Sequence, residues 1–243
     1  MTVLRQFNYV FQMQFLRNSG NLMFFSIIQI MVSLGIVIGF TYLFDNPEKN
    51  TILFLATGAP TLILIITGLV ILPQQIANQK TEGYIEFIRT WPVNRGLVLA
   101  ADTLSWLIIT IPGIAISTLV AHYMFDPGYD ISWTILPVII LIALTSIGVG
   151  YGFSYGLSPL ASMALSQVLI FGALMFSPIN FPMERLPEWL QTLHHILPLY
   201  SMAEVMRASM AQGAFTAGIE HYITLIIWGI LGFGGAILIL NRK

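Results

Sequence analysis

The chain has 243 residues, of which 56% are apolar and only 9% charged, and its mean hydropathy is +0.82. That balance excludes an ordinary soluble domain and places the chain in lipid. A formal net charge of -1 with no basic patch gives no hold for nucleic acid, and zero cysteines exclude a disulfide framework or a thiolate metal site.

Residues 1–20 lack a small-residue cleavage site behind a short apolar core, so they do not read as a signal peptide. Val3, Phe7, Val10, Phe11 and Phe15 recur at helical spacing, with Arg5, Gln6, Gln12, Arg17 and Asn18 largely elsewhere around the helix. The pattern predicts an interfacial amphipathic helix with its aromatic face buried and its polar groups wet.

Apolar runs then predict six membrane spans, at 22–44, 51–72, 97–121, 133–156, 160–179 and 219–240, because a hydrocarbon core needs about 20 residues of helix. The uncharged run 131–183 is long enough to cross twice, and Leu157-Ser158-Pro159 divides it. Proline lacks a backbone donor and disfavours helix in the residue before it, so a tight turn there makes spans four and five a hairpin. Within the spans Gly35 and Gly39, and Gly148, Gly152 and Gly156, repeat every four residues and offer helix-packing faces. Span centres carry no charge; Gln29, Thr61, Thr110, Thr145 and Gln167 are expected mostly to hydrogen-bond within or between helices. An ion-driven relay needs more than that, so any energy must come from outside the spans.

The segment 73–96 is the largest internal hydrophilic stretch. Pro73 is expected to close span two, Thr81 to cap a short helix with Glu82 in its first turn, and Pro92 to end it. Tyr84, Ile85, Ile88 and Trp91 form an apolar side, Glu82, Glu86 and Arg89 a charged one. Such a helix either lies on headgroups or is a handle for a soluble partner.

Residues 180–213 carry "FPMERLPEWLQTLHHILPLYSMAEVMRASM". Pro187 suits a first turn, Leu186, Trp189, Leu190, Leu193, Ile196 and Leu197 share an apolar face, and Pro198 stops the helix. Ser201 and Glu204 stand at capping-box spacing for a second helix running to about Gln212. At about 11 residues and roughly 16 Å each, neither crosses a core of about 30 Å. They read as a non-spanning excursion over a pathway. His194 and His195 are adjacent and point about 100° apart on a helix, which argues against a shared metal; Glu204 and Arg207 suit a local ion pair.

Basic residues near span ends set orientation. With the amino terminus inside, Arg5, Arg17, Lys80, Arg89, Arg95, Arg242 and Lys243 face the cytoplasm and Lys49, Arg185 and Arg207 the outside, seven against three.

Six spans, "EGYIEFIRTWPVNRG" after the second, and the pattern FP-x-x-x-LP-x-WLQ-x-x-x-x-x-LPL-x-Y from Phe181 to Tyr200 together resemble the ABC-2 family of ABC-transporter permeases, notably its drug and natural-product export branch. Leu197 departs from it where many relatives carry asparagine. The resemblance implies an all-α membrane protein of one domain, 1–243, pairing with a second permease copy and two cytoplasmic ATPase subunits that bind ATP and Mg. By position Glu82, Gly83, Tyr84, Glu86 and Arg89 match the ATPase-coupling helix of 73–96. Phe181, Pro182, Leu186, Pro187, Trp189, Leu190, Pro198 and Tyr200 match the outer re-entrant helices of 180–213. The sequence has no G-x-x-x-x-G-K-[ST] phosphate loop, so the nucleotide site is expected in trans, with no cofactor or metal in this chain. The implied function is export of a lipophilic or amphiphilic molecule across the cytoplasmic membrane by a non-enzymatic subunit with both termini cytoplasmic. Export of a lipid or a lipid-linked glycan is the near alternative, and a membrane-embedded enzyme using His194, His195 and Glu188 or Glu204 the distant one.

Overall fold

The computed structural model describes residues 3–20, 22–42 and 49–241. The end of the first predicted span at 43–44, and Arg242 and Lys243 of the charge count, lie outside the described residues. Eleven α-helices occur among the latter: α1 Val3–Ser19, α2 Leu22–Tyr42, α3 Lys49–Ile66, α4 Leu72–Thr81, α5 Tyr84–Arg89, α6 Arg95–Phe125, α7 Ile135–Gly156, α8 Pro159–Phe176, α9 Glu188–Ile196, α10 Pro198–Met210 and α11 Ile219–Asn241. A π-helical turn, Thr67–Ile71, joins α3 to α4, and a 3-10 turn, Met183–Arg185, precedes α9. Among the described residues five helical stretches are long and apolar enough to cross a membrane, or six with the α1–α2 pair, whose two members meet at 67°. The protein is an all-helical, multi-pass membrane protein.

The centre of the bundle is the 33-residue stretch Lys49–Thr81, almost entirely covered by other helices. Its continuity corrects the expectation that Pro73 closes span two. Pro73 has no N–H and its ring would clash with the carbonyl four residues back, but the wide turn immediately before it absorbs that conflict, with Leu72 N–H bonding Thr67 O. α6 likewise runs beyond its predicted limits of 97–121. Asn94 caps it, its side chain accepting from Gly96 N–H at 2.8 Å.

α7 and α11 form the tightest helix pair. The face of Gly148, Gly152 and Gly156 packs on α11: a Cβ on Gly148 would lie 2.9 Å from the Phe233 ring, one on Gly152 3.2 Å from the Gly232 Cα, and one on Gly156 3.4 Å from Ile239 Cδ1. Gly232 meets the Gly148 backbone from the other side. Thr145 adds a cross-helix bond to Leu225 O at 3.0 Å. Gly35 and Gly39 differ: among the described residues nothing lies within 4 Å of a Cβ built on either.

The turn at Leu157-Ser158-Pro159 forms as expected, Ser158 accepting from Ala161 N–H at 3.3 Å with Pro159 opening α8. The hairpin is loose, however; α8 packs mainly on α4 and barely on α7. The polar residues of the spans mostly find partners. Gln29 Nε2 donates to Thr67 Oγ1 at 2.8 Å, Thr110 donates to Trp106 O at 2.7 Å, and Thr61 to Thr57 O at 3.1 Å. Gln167 lies exposed on α8.

Candidate functional sites at the two ends of the bundle

At one end α1, α5 and the start of α6 share a small apolar cluster of Val10, Ile88, Val98 and Ala101, with Phe7, Phe11, Tyr84 and Trp91 packed against it. α1 is amphipathic, but the row that faces α6 is Val10, Gln14 and Asn18, all buried. Asn18, expected to be wet, donates from Nδ2 to Asp102 Oδ1 at 3.1 Å, and Tyr151 of α7 donates to Asp102 Oδ2 at 2.6 Å. A buried carboxylate that captures an amide outcompetes hydration of that amide.

α5 is one short helix, and its start corrects the sequence reading. Thr81 closes α4 instead of capping α5, its hydroxyl donating to Asn78 O at 2.7 Å. The break comes at Gly83, whose φ of 72° is left-handed and therefore inexpensive only for glycine. Ile85 and Ile88 point inward; Glu82, Gly83, Glu86, Phe87 and Arg89 are exposed. Phe87, absent from the predicted apolar side, is 55% exposed and sits edge-on to Trp91 with ring centroids 5.5 Å apart.

Cations fasten this end. Arg17 of α1 lies 3.8 Å above the Tyr84 ring. Arg95 gathers the last carbonyls around α5, donating from Nη1 to Ile88 O at 3.0 Å and from Nη2 to Arg89 O at 2.6 Å. Lys80 Nζ donates to Ser154 O at 2.7 Å, Tyr155 O at 2.9 Å and Leu157 O at 2.7 Å, at the carboxyl end of α7. Sequence reading used Lys80 and Arg95 only as topology charges; the orphan carbonyls of a helix end lie far off in sequence and leave no local pattern.

At the other end, residues 126–134, the loop after α8, α9 and α10 come together; Asp130 pairs its backbone with that of Met210 and Gln212. α10 starts three residues earlier than its predicted capping box, with Pro198 in its first turn and Leu197 serving as carboxyl cap of α9 and amino cap of α10. Leu197 has no side chain to bond there, so α10 lacks a side-chain cap. Ser201 is thus internal and meets His221 Nδ1 at 3.1 Å, while Glu204 pairs with Arg207, Oε1 to Nη1 at 2.5 Å. α10 ends at Met210, short of Gln212.

Arg207 does more than that local pair. Its side chain is wholly buried, stacks 3.6 Å from the Phe54 ring of α3, and donates from Nη2 to Pro178 O at 3.0 Å and to Ile179 O. Burial pulls its pKa down to about 10, opposed by Glu204. The guanidinium thereby fixes the loop after α8 to the central helix.

Beside it opens a cavity of about 390 Å³ lined by Phe54, Asn180, Phe181, Pro182, Glu184, Arg185, Tyr200, Glu204 and others. Of the eight residues predicted for this outer element, Phe181, Pro182 and Tyr200 line the cavity. Leu186, Pro187, Trp189, Leu190 and Pro198 do not. The apolar face predicted for α9 is only partly covered: Leu190 is buried, whereas Trp189, Leu193 and Ile196 are exposed. His194 instead joins Leu190 inside, its Nε2 donating to Phe176 O at 2.8 Å, and Trp228 Nε1 donates to Ile196 O at 2.9 Å. His195 sits edge-on to Tyr200, with ring centroids 5.7 Å apart.

Residues 5–211 match the ABC-2 type transporter family. The chain belongs to that family, whose members are membrane permease components of ABC transporters. It is similar to the ABC transporter G family member 20 of Dictyostelium discoideum, 24% identical over an alignment of 208 residues that covers 82% of this chain. The chain spans 28% of the length of that relative.

Proposed function

We propose that this chain is the membrane half of an ATP-driven exporter, and that α5 is the handle by which a cytoplasmic ATPase moves it. The observation that carries this reading is the construction of α5. A six-residue helix cannot hold itself together in water, yet α5 is clamped by Arg95, Tyr84 and two buried isoleucines while Glu82, Gly83, Glu86, Phe87 and Arg89 face outward. A rigid, half-apolar, charged knob of this kind suits a groove on a soluble partner better than a headgroup surface, because an exposed ring flanked by charges provides both anchor and orientation.

ATP and Mg would then bind in the ATPase, with two ATPase copies beneath two copies of this permease. The charge count supports a cytoplasmic α5 with cytoplasmic termini, and so an outer position for α9 and α10, which at 9 and 13 residues are too short to span and suit re-entrant helices. The direction is export, and the cargo a lipophilic or amphiphilic molecule such as a drug or natural product.

The test is co-purification in mild detergent. Glu86→Arg and Phe87→Ala should each reduce recovery of a nucleotide-hydrolysing partner at least tenfold, while the permease itself elutes as before. Undiminished recovery with both variants would refute the docking role of α5.

A further inference from the structure

Lys80 sits on the last turn of α4, three residues before Gly83 and the start of α5. All three of its ammonium donors are used, and all on one target: the carbonyls of Ser154, Tyr155 and Leu157, at 2.7, 2.9 and 2.7 Å. These carbonyls end α7, where the helix dipole is negative and no intrahelical donor remains. Helix ends are ordinarily closed by a residue of their own turn; here the donor arrives from another helix, 74 to 77 positions earlier in the chain. From those data we propose that Lys80 is a positioning residue, a pin that makes the α7–α8 turn follow any displacement of α5; this rests on the docking role given to α5 above.

The path is short at both ends. Only Glu82 and Gly83 separate α4 from α5. On the far side α7 cannot slide alone, because the contacts of Gly148 and Gly152 with Gly232 and Phe233 make α7 and α11 one body. α8 begins two residues after Leu157. Higher up, the π-helical turn already interlocks with α7, where Gly68 meets Gly150 and Ser146; next to α5 the polar link to the end of α7 and the root of α8 is this ammonium group. Three short charge-assisted bonds resist shear, whereas the apolar packing of α4 on α7 and α8 permits sliding. A tetrahedral ammonium also suits three converging carbonyls better than a planar fork, so arginine should replace lysine only in part.

The chain contains no cysteine, which leaves it free for paired labels. Thr90→Cys, at the end of α5, and Leu160→Cys, at the start of α8, are both exposed positions outside the proposed docking face. Spin labels there should give a narrow distance distribution in the purified chain, at least twofold broader with Lys80→Met and close to the parent with Lys80→Arg. Equal widths for the parent and Lys80→Met would overturn the pin. Misfolding of Lys80→Met that Lys80→Arg does not rescue would overturn it too, since the residue would then be one of general stability.

The second arm adds the co-purified ATPase with ATP and Mg. In the parent the distance should shift; in Lys80→Met the ATPase should bind and hydrolyse within twofold of the parent while less than half of the shift remains. A full shift in that variant would equally count as refutation. A parent chain that recruits no ATPase would defeat the docking role of α5, whereas the width measured in the isolated chain would still decide the pin.

Discussion

Both ends of the bundle use a basic side chain to collect backbone carbonyls, but they do so under different electrostatic conditions. At the α5 end Arg95 and Lys80 bind carbonyls alone, and both are only partly buried. At the α9–α10 end Arg207 is completely buried and adds the Glu204 carboxylate and the Phe54 ring to its carbonyls. The difference follows from the cost of desolvation. A cation that keeps some water can stabilise a helix end with dipoles only, whereas one sealed from water needs a full counter-charge. The first arrangement stays partly solvated and the second is locked away from water.

Removing the counter-charge should have the largest effect. Glu204→Ala leaves Arg207 buried and uncompensated, and should cost about 3–5 kcal/mol of stability, read as a lowered thermal unfolding midpoint in detergent. Replacing Glu204 and Arg207 together by glutamine and methionine should recover much of that. A Glu204→Ala protein as stable as the parent would erase the contrast between the ends.

Arg95→Ala should cost less, about 0.5–1.5 kcal/mol, because the carbonyls it leaves near α5 can turn to water. Hydrogen exchange of the α5 amides should rise more than tenfold with little change in the global midpoint. A loss as large as that of Glu204→Ala would show that this end is locked as well.

The smallest effect concerns pH. Burial holds the His194 pKa below its ordinary 6.5, its bond to Phe176 O opposing and nearby His195 adding to the depression. The neutral form is thus favoured in the fold, so its stabilising contribution is complete above 6.5 and is lost as pH falls through the lowered pKa. The α9–α10 end should loosen as pH falls below 6.5 and through the lowered pKa, while His194→Gln, which can donate to the same carbonyl and does not titrate, should show a flatter melting profile. Identical profiles would remove His194 from the fastening of α9.

How far the sequence discloses this arrangement depends on how local each determinant is. The turn before Pro159, the Glu204–Arg207 pair and the glycine face of α7 rest on neighbours one to eight positions apart, and they are legible. The partner of that face, Gly229 and Gly232 on α11, emerges only in the fold, since pairing is a tertiary fact. Asn18 is expected to be wet, because polarity ordinarily means solvent, and Lys80 and Arg95 enter only as topology charges; each instead meets a group 6 to 84 positions away. The capping box at Ser201 failed for a different reason: Pro198 already supplies a preorganised first turn, so the helix starts there.

The wide turn at Thr67–Ile71 carries one more consequence. An extra residue in a turn offsets the angular phase of everything after it by about 100°, so the two halves of the central rod obey separate clocks. Deleting a single position between 69 and 71 would restore a common phase and swing the ammonium of Lys80 about a quarter-circle away from α7, while the bond of Gln29 to Thr67 upstream stays where it is.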